Sequence, residues 1–428
     1  MADAVAQADP AGALLGAYPH GADRAKWARD AQDRAAARFA AMGAPQRRDE
    51  YWKFTNPATL TALPAAQAAV FQADEAPIFA DVDAVNLVFV DGVFRAELSD
   101  DLALDACEIM TLGAAMASDI HWAAEMFGTL EAAAQDRVPR PLAALNSALA
   151  GQGVVIRVTG IAPRPISIEY RHEDAGSDAL VHHVIRMEEG AALTLLESGA
   201  GASRFNQVLE VDVPDSAAFH HIRAQGRDHE RRAATALFAR LGREAVLKSF
   251  TMTVNGVLTR NEAIVDFTGD DAAAHVAGAC VGDGAFHHDD TVFITHDAVN
   301  CESRQVYKKV LKNGATGVFQ GKILVQPDAQ KTDGYQISQG LLLDEDSQFL
   351  AKPELEIYAD DVACSHGSTC GSVDDEQLFY LTSRGIPRTQ AENMLVISFV
   401  AEAIAEVEDP ALGEILTNTL IAWMERHS

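Results

Sequence analysis

Positive charge is what this sequence most conspicuously lacks. Its 428 residues carry 34 Lys and Arg against 62 Asp and Glu, a formal net charge of −28. So acidic a surface repels phosphate backbones and anionic lipid heads, which argues against nucleic acid and membrane surfaces as partners. Basic protein surfaces or cations suit it better. No run of about 18 apolar residues occurs, so no transmembrane helix is expected. Residues 1–10 have neither a basic start nor an apolar stretch, and no secretory leader is expected. Cysteine is scarce and odd in number: Cys107, Cys280, Cys301, Cys364 and Cys370. That scatter excludes a disulfide framework and fits a cytoplasmic protein. Several chemical signatures are missing too. The chain has no G-x-x-x-x-G-K-[ST] phosphate loop, so no ATP site is expected in it. It also lacks a dinucleotide G-x-G-x-x-G after a strand, an H-E-x-x-H, a G-x-S-x-G elbow and a paired C-x2-C.

What is present divides by texture. Hydrophobic residues make up 48% of the chain, enough for a sizeable core in two or three packed units. Residues 1–150 read as an α-rich region with a β-hairpin. Within it, 23–42 is helical with Trp27 and Phe39 as anchors, stopped by Gly43 and Pro45. Residues 85–94 alternate around Asp91-Gly92, a hairpin signal. From 151 to 373 short β-type runs recur, separated by Gly, Asp and Asn, with no long amphipathic helix between them. Sandwich, barrel and parallel β-helix are all compatible with this pattern; no fixed period is visible, although the length favours a stacked solenoid. Residues 374–428 turn helical. Ser372 with Asp375 and Thr389 with Glu392 match capping boxes. Met394, Ile397, Val400, Ala401, Ile404 and Val407 form one stripe, and Leu412, Leu416, Leu420 and Trp423 another.

The strongest chemical signal is Asp360-Asp361-Val362-Ala363-Cys364-Ser365-His366-Gly367. On an extended strand Cys364 and His366 face the same way, about 7 Å apart. A thiolate and an imidazole on one face suit a soft metal, but two ligands do not close a tetrahedral site. A buried thiol beside a structural histidine is the bland alternative. Cys370 follows six residues on, past Gly367, with its direction open. Histidines pair at His182-His183, His220-His221 and His287-His288, and each pair should split across the two faces of a strand. His287, His288, Asp289 and Asp290 have the composition of a metal site, which makes a metal-dependent hydrolase or lyase the rival reading. The basic run 227–243 reads as a solvated face.

Several stretches resemble the SufB/SufD family. They are Val306-Tyr307-Lys308, then Gly317-Val318-Phe319-Gln320-Gly321-Lys322-Ile323, Ala329-Gln330-Lys331-Thr332-Asp333-Gly334-Tyr335-Gln336, and Lys352-Pro353-Glu354-Leu355-Glu356-Ile357-Tyr358-Ala359-Asp360-Asp361-Val362. Cys364-Ser365-His366-Gly367 and Gln377-Leu378-Phe379-Tyr380-Leu381 complete a dense block over residues 300–400. Glu50-Tyr51-Trp52-Lys53-Phe54-Thr55 is a fainter echo, and the CSHG element looks like the SufD branch. The resemblance implies a right-handed parallel β-helix flanked by N-terminal and C-terminal α-helical regions. It implies a scaffold role rather than an enzyme's. One partner would be SufB, across an interface where a transient iron–sulfur cluster forms and where Cys364 and His366 would serve as ligands. The other would be SufC, an ATPase docked on the C-terminal helices, here through Leu378, Phe379, Met394, Ile397, Ala401 and Ile404. Pairing with a second copy is the alternative for an isolated chain. Cys370 departs from the family pattern, and residues 333–341 hold no counterpart of the SufB cluster cysteine.

Overall fold

The computed structural model describes residues 10–18, 23–70, 76–226 and 229–427. From Val154 onward the chain winds back and forth between two ten-stranded sheets, and from Asp178–Met187 on each successive strand pairs in parallel with the strand two before it. One sheet ends on the strand Ala363–Gly371 and the other on Gln348–Ile357. This is a parallel β-solenoid, the fold that the resemblance implied. The register partners Ala192, Ala218, Val246, Ala273, Glu302, Asp333 and Ala363 stack in one column. They are separated by 26, 28, 27, 29, 31 and 30 residues, so the repeat is structural but has no constant period in sequence.

Alternation explains the strands. In Arg204–Val213, Phe205, Leu209, Val211 and Val213 point into the solenoid and are at most 3% exposed. Each such side chain contributes roughly 1.5–3 kcal/mol by burial. Truncating Leu209 to Ala would cost about 2–5 kcal/mol through the cavity left behind. Polar groups interrupt this interior. Glu197 is fully buried and accepts hydrogen bonds from Tyr170 (2.6 Å), His221 (2.6 Å), Arg223 (2.5 Å) and Gln207 (2.8 Å).

The outward faces are apolar too, because helices cover them. Phe39, Trp52, Leu142 and Leu145 pack over Ala234 and Leu258 of the second sheet. Val396, Val400, Leu416, Leu420 and Trp423 pack over Ile222, Phe250, Met252 and Val306 of the first. Charged contacts fasten that second layer: Arg304 to Glu406 (2.7 Å), Lys248 to Glu408 (2.9 Å), and Lys308 to Glu402.

Local expectations fared unevenly. The helix Lys26–Met42 ends at Gly43, and Val85–Val90 pairs antiparallel with Val93–Phe94 through Asp91 and Gly92, both at positive φ. Val85–Val90 also joins the first sheet in parallel with Ile166–Arg171, so the solenoid's sheets reach back before residue 151. Asp374, rather than Ser372, caps the helix Asp375–Thr382, accepting from the amides of Glu376 and Gln377. Thr389 does not cap either: the helix Arg388–Ile404 begins before it, and Glu392 pairs with Arg388 at 2.8 Å. Asp409 caps Pro410–Arg426, and Leu412, Leu416, Leu420 and Trp423 are all buried. The run 227–243 is a solvated face only in part: Arg240 and Arg243 are exposed, but Arg231 is not. Arg227 lies outside the described residues. Arg231 is buried against Ala200 O (2.6 Å) and Gln225 Oε1 (2.8 Å), and burial lowers its pKa to about 9.

The two ends of the solenoid differ. The N-terminal edges are two-residue strands, Val93–Phe94 and Ala103–Leu104, joined antiparallel. Very short edges offer little to pair with. The C-terminal edges are full length, at 10 and 9 residues, and among the described residues each pairs with a strand on one side only. An unpaired row of amides and carbonyls that long is a template for another chain.

Candidate half-site at the open end

Cys364 and His366 lie on this last coil. Their strand pairs residue by residue with Asp333–Leu342, placing Cys364 beside Gly334 and His366 beside Gln336. A Cβ built on Gly334 would lie 3.2 Å from Cys364 Sγ and 3.4 Å from Ile323 Cδ1 of the opposite sheet. That face therefore points inward, at the mouth of the solenoid. Glycine at 334 lets the thiol settle against Ile323, Val325, Leu355 and Ala359. Cys364 is half-buried and His366 exposed. Partial burial raises the Cys364 thiol above its ordinary pKa, and the Gly334 amide partly offsets this. Such a thiol stays protonated in the isolated chain until a cation or metal displaces the proton.

The strand's regular pairing through Gly340 and Cys370 settles the direction of Cys370. It shares the face of Cys364 and His366, but six residues along a strand is about 20 Å, beyond reach of one ion. Among the described residues no group of three or more His, Cys, Asp or Glu is placed to hold a metal. Cys364 and His366 are thus a two-donor set opening toward the unpaired edges. Their thiol and imidazole fit iron or another soft-to-borderline metal once further donors arrive.

The His287–Asp290 group is no rival centre. As expected of a strand, its members split between faces. Inside, Lys309 Nζ donates to His288 Nδ1 (2.7 Å) and Asp290 Oδ2 (2.6 Å), and Asn261 donates to Asp290 (3.0 Å). Burial holds His288 neutral, lowering its pKa to about 3. Outside, Asp289 takes Arg260 and Thr55, and Thr55 also meets His287 at 2.9 Å. A carboxylate saturated by lysine or arginine in the interior offers a metal nothing, so the metal-dependent hydrolase or lyase reading is corrected. The other histidine pairs split likewise: His182 meets Glu210 while His183 meets Tyr170, and His220 meets Glu408 while His221 meets Glu197.

On the C-terminal helices, Leu378 and Ile404 are buried in this chain's own packing, because the helices must cover the sheet beneath them. Phe379 (72% exposed), Met394 and Ala401 face outward, and Ile397 is half-buried. Met394 and Ile397 line a groove of about 480 Å³ with Ile421 and Met424. Tyr380, next to Phe379 in the same helix, is 56% exposed; sequence reasoning did not single it out.

Fold and site together define a parallel β-solenoid protein with a thiol and an imidazole on one face of its last coil. Comparison with known proteins gives the family. A family model described as SUF system FeS cluster assembly, SufBD core domain, matches residues 170–399, over half of the sequence. This chain belongs to the SufBD family of iron–sulfur cluster assembly proteins. Iron-sulfur cluster assembly protein SufD of Escherichia coli (strain K12) is 27% identical over 383 residues, covering 87% of both chains. An iron–sulfur cluster assembly SufBD family protein of Synechocystis sp. is 27% identical over 403 residues, 85% of this chain and 84% of its own. SufD of Bacillus subtilis (strain 168) is 27% identical over 282 residues, 62% of this chain and 63% of its own. No helix among the described residues is long and apolar enough to cross a membrane.

Proposed function

We propose that this chain is a non-catalytic scaffold subunit of a cytoplasmic SUF complex. It pairs with a SufB-type subunit and carries a SufC-type ATPase. The observation that carries the reading is the open last coil: two full-length unpaired edges beside a two-donor set. A partner strand laid on those edges gains backbone hydrogen bonds and brings its own side chains to the mouth where Cys364 and His366 sit. The nascent iron–sulfur cluster is cargo shared across that seam. Cys364 gives up its proton on meeting iron, and His366 offers a neutral ring nitrogen. The exposed Phe379, Tyr380 and Met394 face on the C-terminal helices is the dock for the ATPase. Closure of two ATPase subunits then strains the paired scaffold and alters the seam. Co-purification with SufB-type and SufC-type partners, followed by iron and sulfide measurement after reconstitution, tests this. An undiminished cluster yield in a Cys364→Ala, His366→Ala double variant would sink the site assignment. A purely structural role predicts equal thiol-labelling of Cys364 with and without the SufB-type partner, whereas an interface cysteine becomes protected.

A further inference from the structure

Gln336 neighbours His366 on the adjacent strand and the same inward face. It is fully buried, and its amide is held from two sides. Nε2 donates to Gln305 Oε1 at 2.9 Å. The amide also lies directly over Gly321, where an added Cβ would come within 2.2 Å of Nε2 and 2.6 Å of Cδ. With the nitrogen committed, Gln336 Oε1 is left buried with no hydrogen-bond partner. Buried acceptors are rarely orphaned without a reason. The next coil, about 5 Å away across the sheet, presents the imidazole of His366 directly beside Gln336 in the register. An imidazole that binds metal through one nitrogen needs its other N–H held by an oxygen, which fixes both tautomer and ring orientation.

We propose that Gln336 is a positioning residue for His366: Oε1 accepts one ring N–H and leaves the other ring nitrogen as a free lone pair facing the open end. Gly321 and Gln305 hold the amide in place for this purpose. The inference rests on the scaffold reading above for its purpose, but both groups belong to this chain and the hydrogen bond needs only the His366 ring to turn toward the unpaired Gln336 Oε1.

The test uses the full chain alone, with ¹⁵N-labelled histidine, at a pH where the His366 ring is neutral. Long-range ¹H–¹⁵N correlation reads the tautomer ratio of His366, assigned by its loss in His366→Ala. One net hydrogen bond corresponds to about a tenfold shift in that ratio. Gln336→Met, close in shape but without the acceptor, is expected to shift the ratio about tenfold from wild type. Gly321→Ala, which displaces the amide without deleting it, is expected to shift it in the same direction and serves if Gln336→Met does not fold. A ratio unchanged in a folded Gln336→Met or Gly321→Ala chain overturns the proposal, even where cluster yield depends on His366. A shifted ratio supports it, and a simultaneous failure of the His366 variant to lower cluster yield would count against the scaffold reading alone.

Discussion

Replacing Lys309 by Met separates a structural role for the His288–Asp290 group from a catalytic or metal-binding one. Lys309 is 1% exposed and donates to both Asp290 (2.6 Å) and His288 (2.7 Å), while Asp290 is itself 3% exposed. Methionine matches the lysine stem in shape but removes the ammonium. Asp290 then keeps the Asn261 amide (3.0 Å) and, at 3.5 Å, the ring of His288, which burial holds neutral, so it is left a buried carboxylate without a cation. Breaking one side of such a pair costs about 3–5 kcal/mol, a large part of a typical domain's 5–15. Removing both charges together, in Lys309→Met with Asp290→Asn, costs much less, because no buried charge is stranded. The assay is equilibrium denaturation of wild type, both single variants and the double. The expected pattern is a coupling of about 2 kcal/mol or more that makes the double variant more stable than Lys309→Met alone. Additive losses, or a Lys309→Met cost below about 1 kcal/mol, would refute the argument that these charges lock one another in the interior.

Acid should destabilise the protein well above the carboxylate range. Burial lowers the pKa of His183 from 6.5 to about 4, and that of His296 similarly. Between pH 6.5 and 4 the unfolded chain therefore binds protons that the folded chain refuses. Stability is full above pH 6.5 and falls as pH drops, with His183 alone contributing a loss of about 2 kcal/mol at pH 5. Equal denaturant midpoints at pH 7.5 and 5 for wild type would contradict this. Gly334→Ala would place a Cβ 3.2 Å from Cys364 Sγ with Ile323 behind it, so the thiol should be pushed out and labelled several-fold faster; an unchanged labelling rate would show that the glycine is not needed. Phe379→Asp, at a 72% exposed site, should move stability by no more than about 0.5 kcal/mol yet abolish capture of the SufC-type ATPase. Retained capture would place the dock elsewhere.

The alternation of apolar residues made the β region legible, and the hairpin at Asp91-Gly92 and the helix stop at Gly43 were local enough to read directly. Strand lengths were not. Ala192–Gly199 appeared in sequence as only residues 193–196, because its inward Glu197 interrupts the apolar pattern and is satisfied by Tyr170, His221, Arg223 and Gln207 from other parts of the chain. The caps at Asp374 and Pro387 displaced the boxes at Ser372 and Thr389 for a similar reason: packing on the solenoid, not the cap alone, sets where each helix begins.

The same division holds for the site. Two-residue spacing on an extended chain was sufficient to put Cys364 and His366 on one face, and the paired histidines on opposite faces, because the strand period is local geometry. Sequence could not tell that this face opens at the end of a stack, that Cys370 shares it but lies out of reach, or that His288 and Asp290 are already claimed by Lys309. Those facts depend on which strand lies beside which. Parallel pairing brings residues some 30 positions apart into contact, and no pattern within one strand records its neighbour.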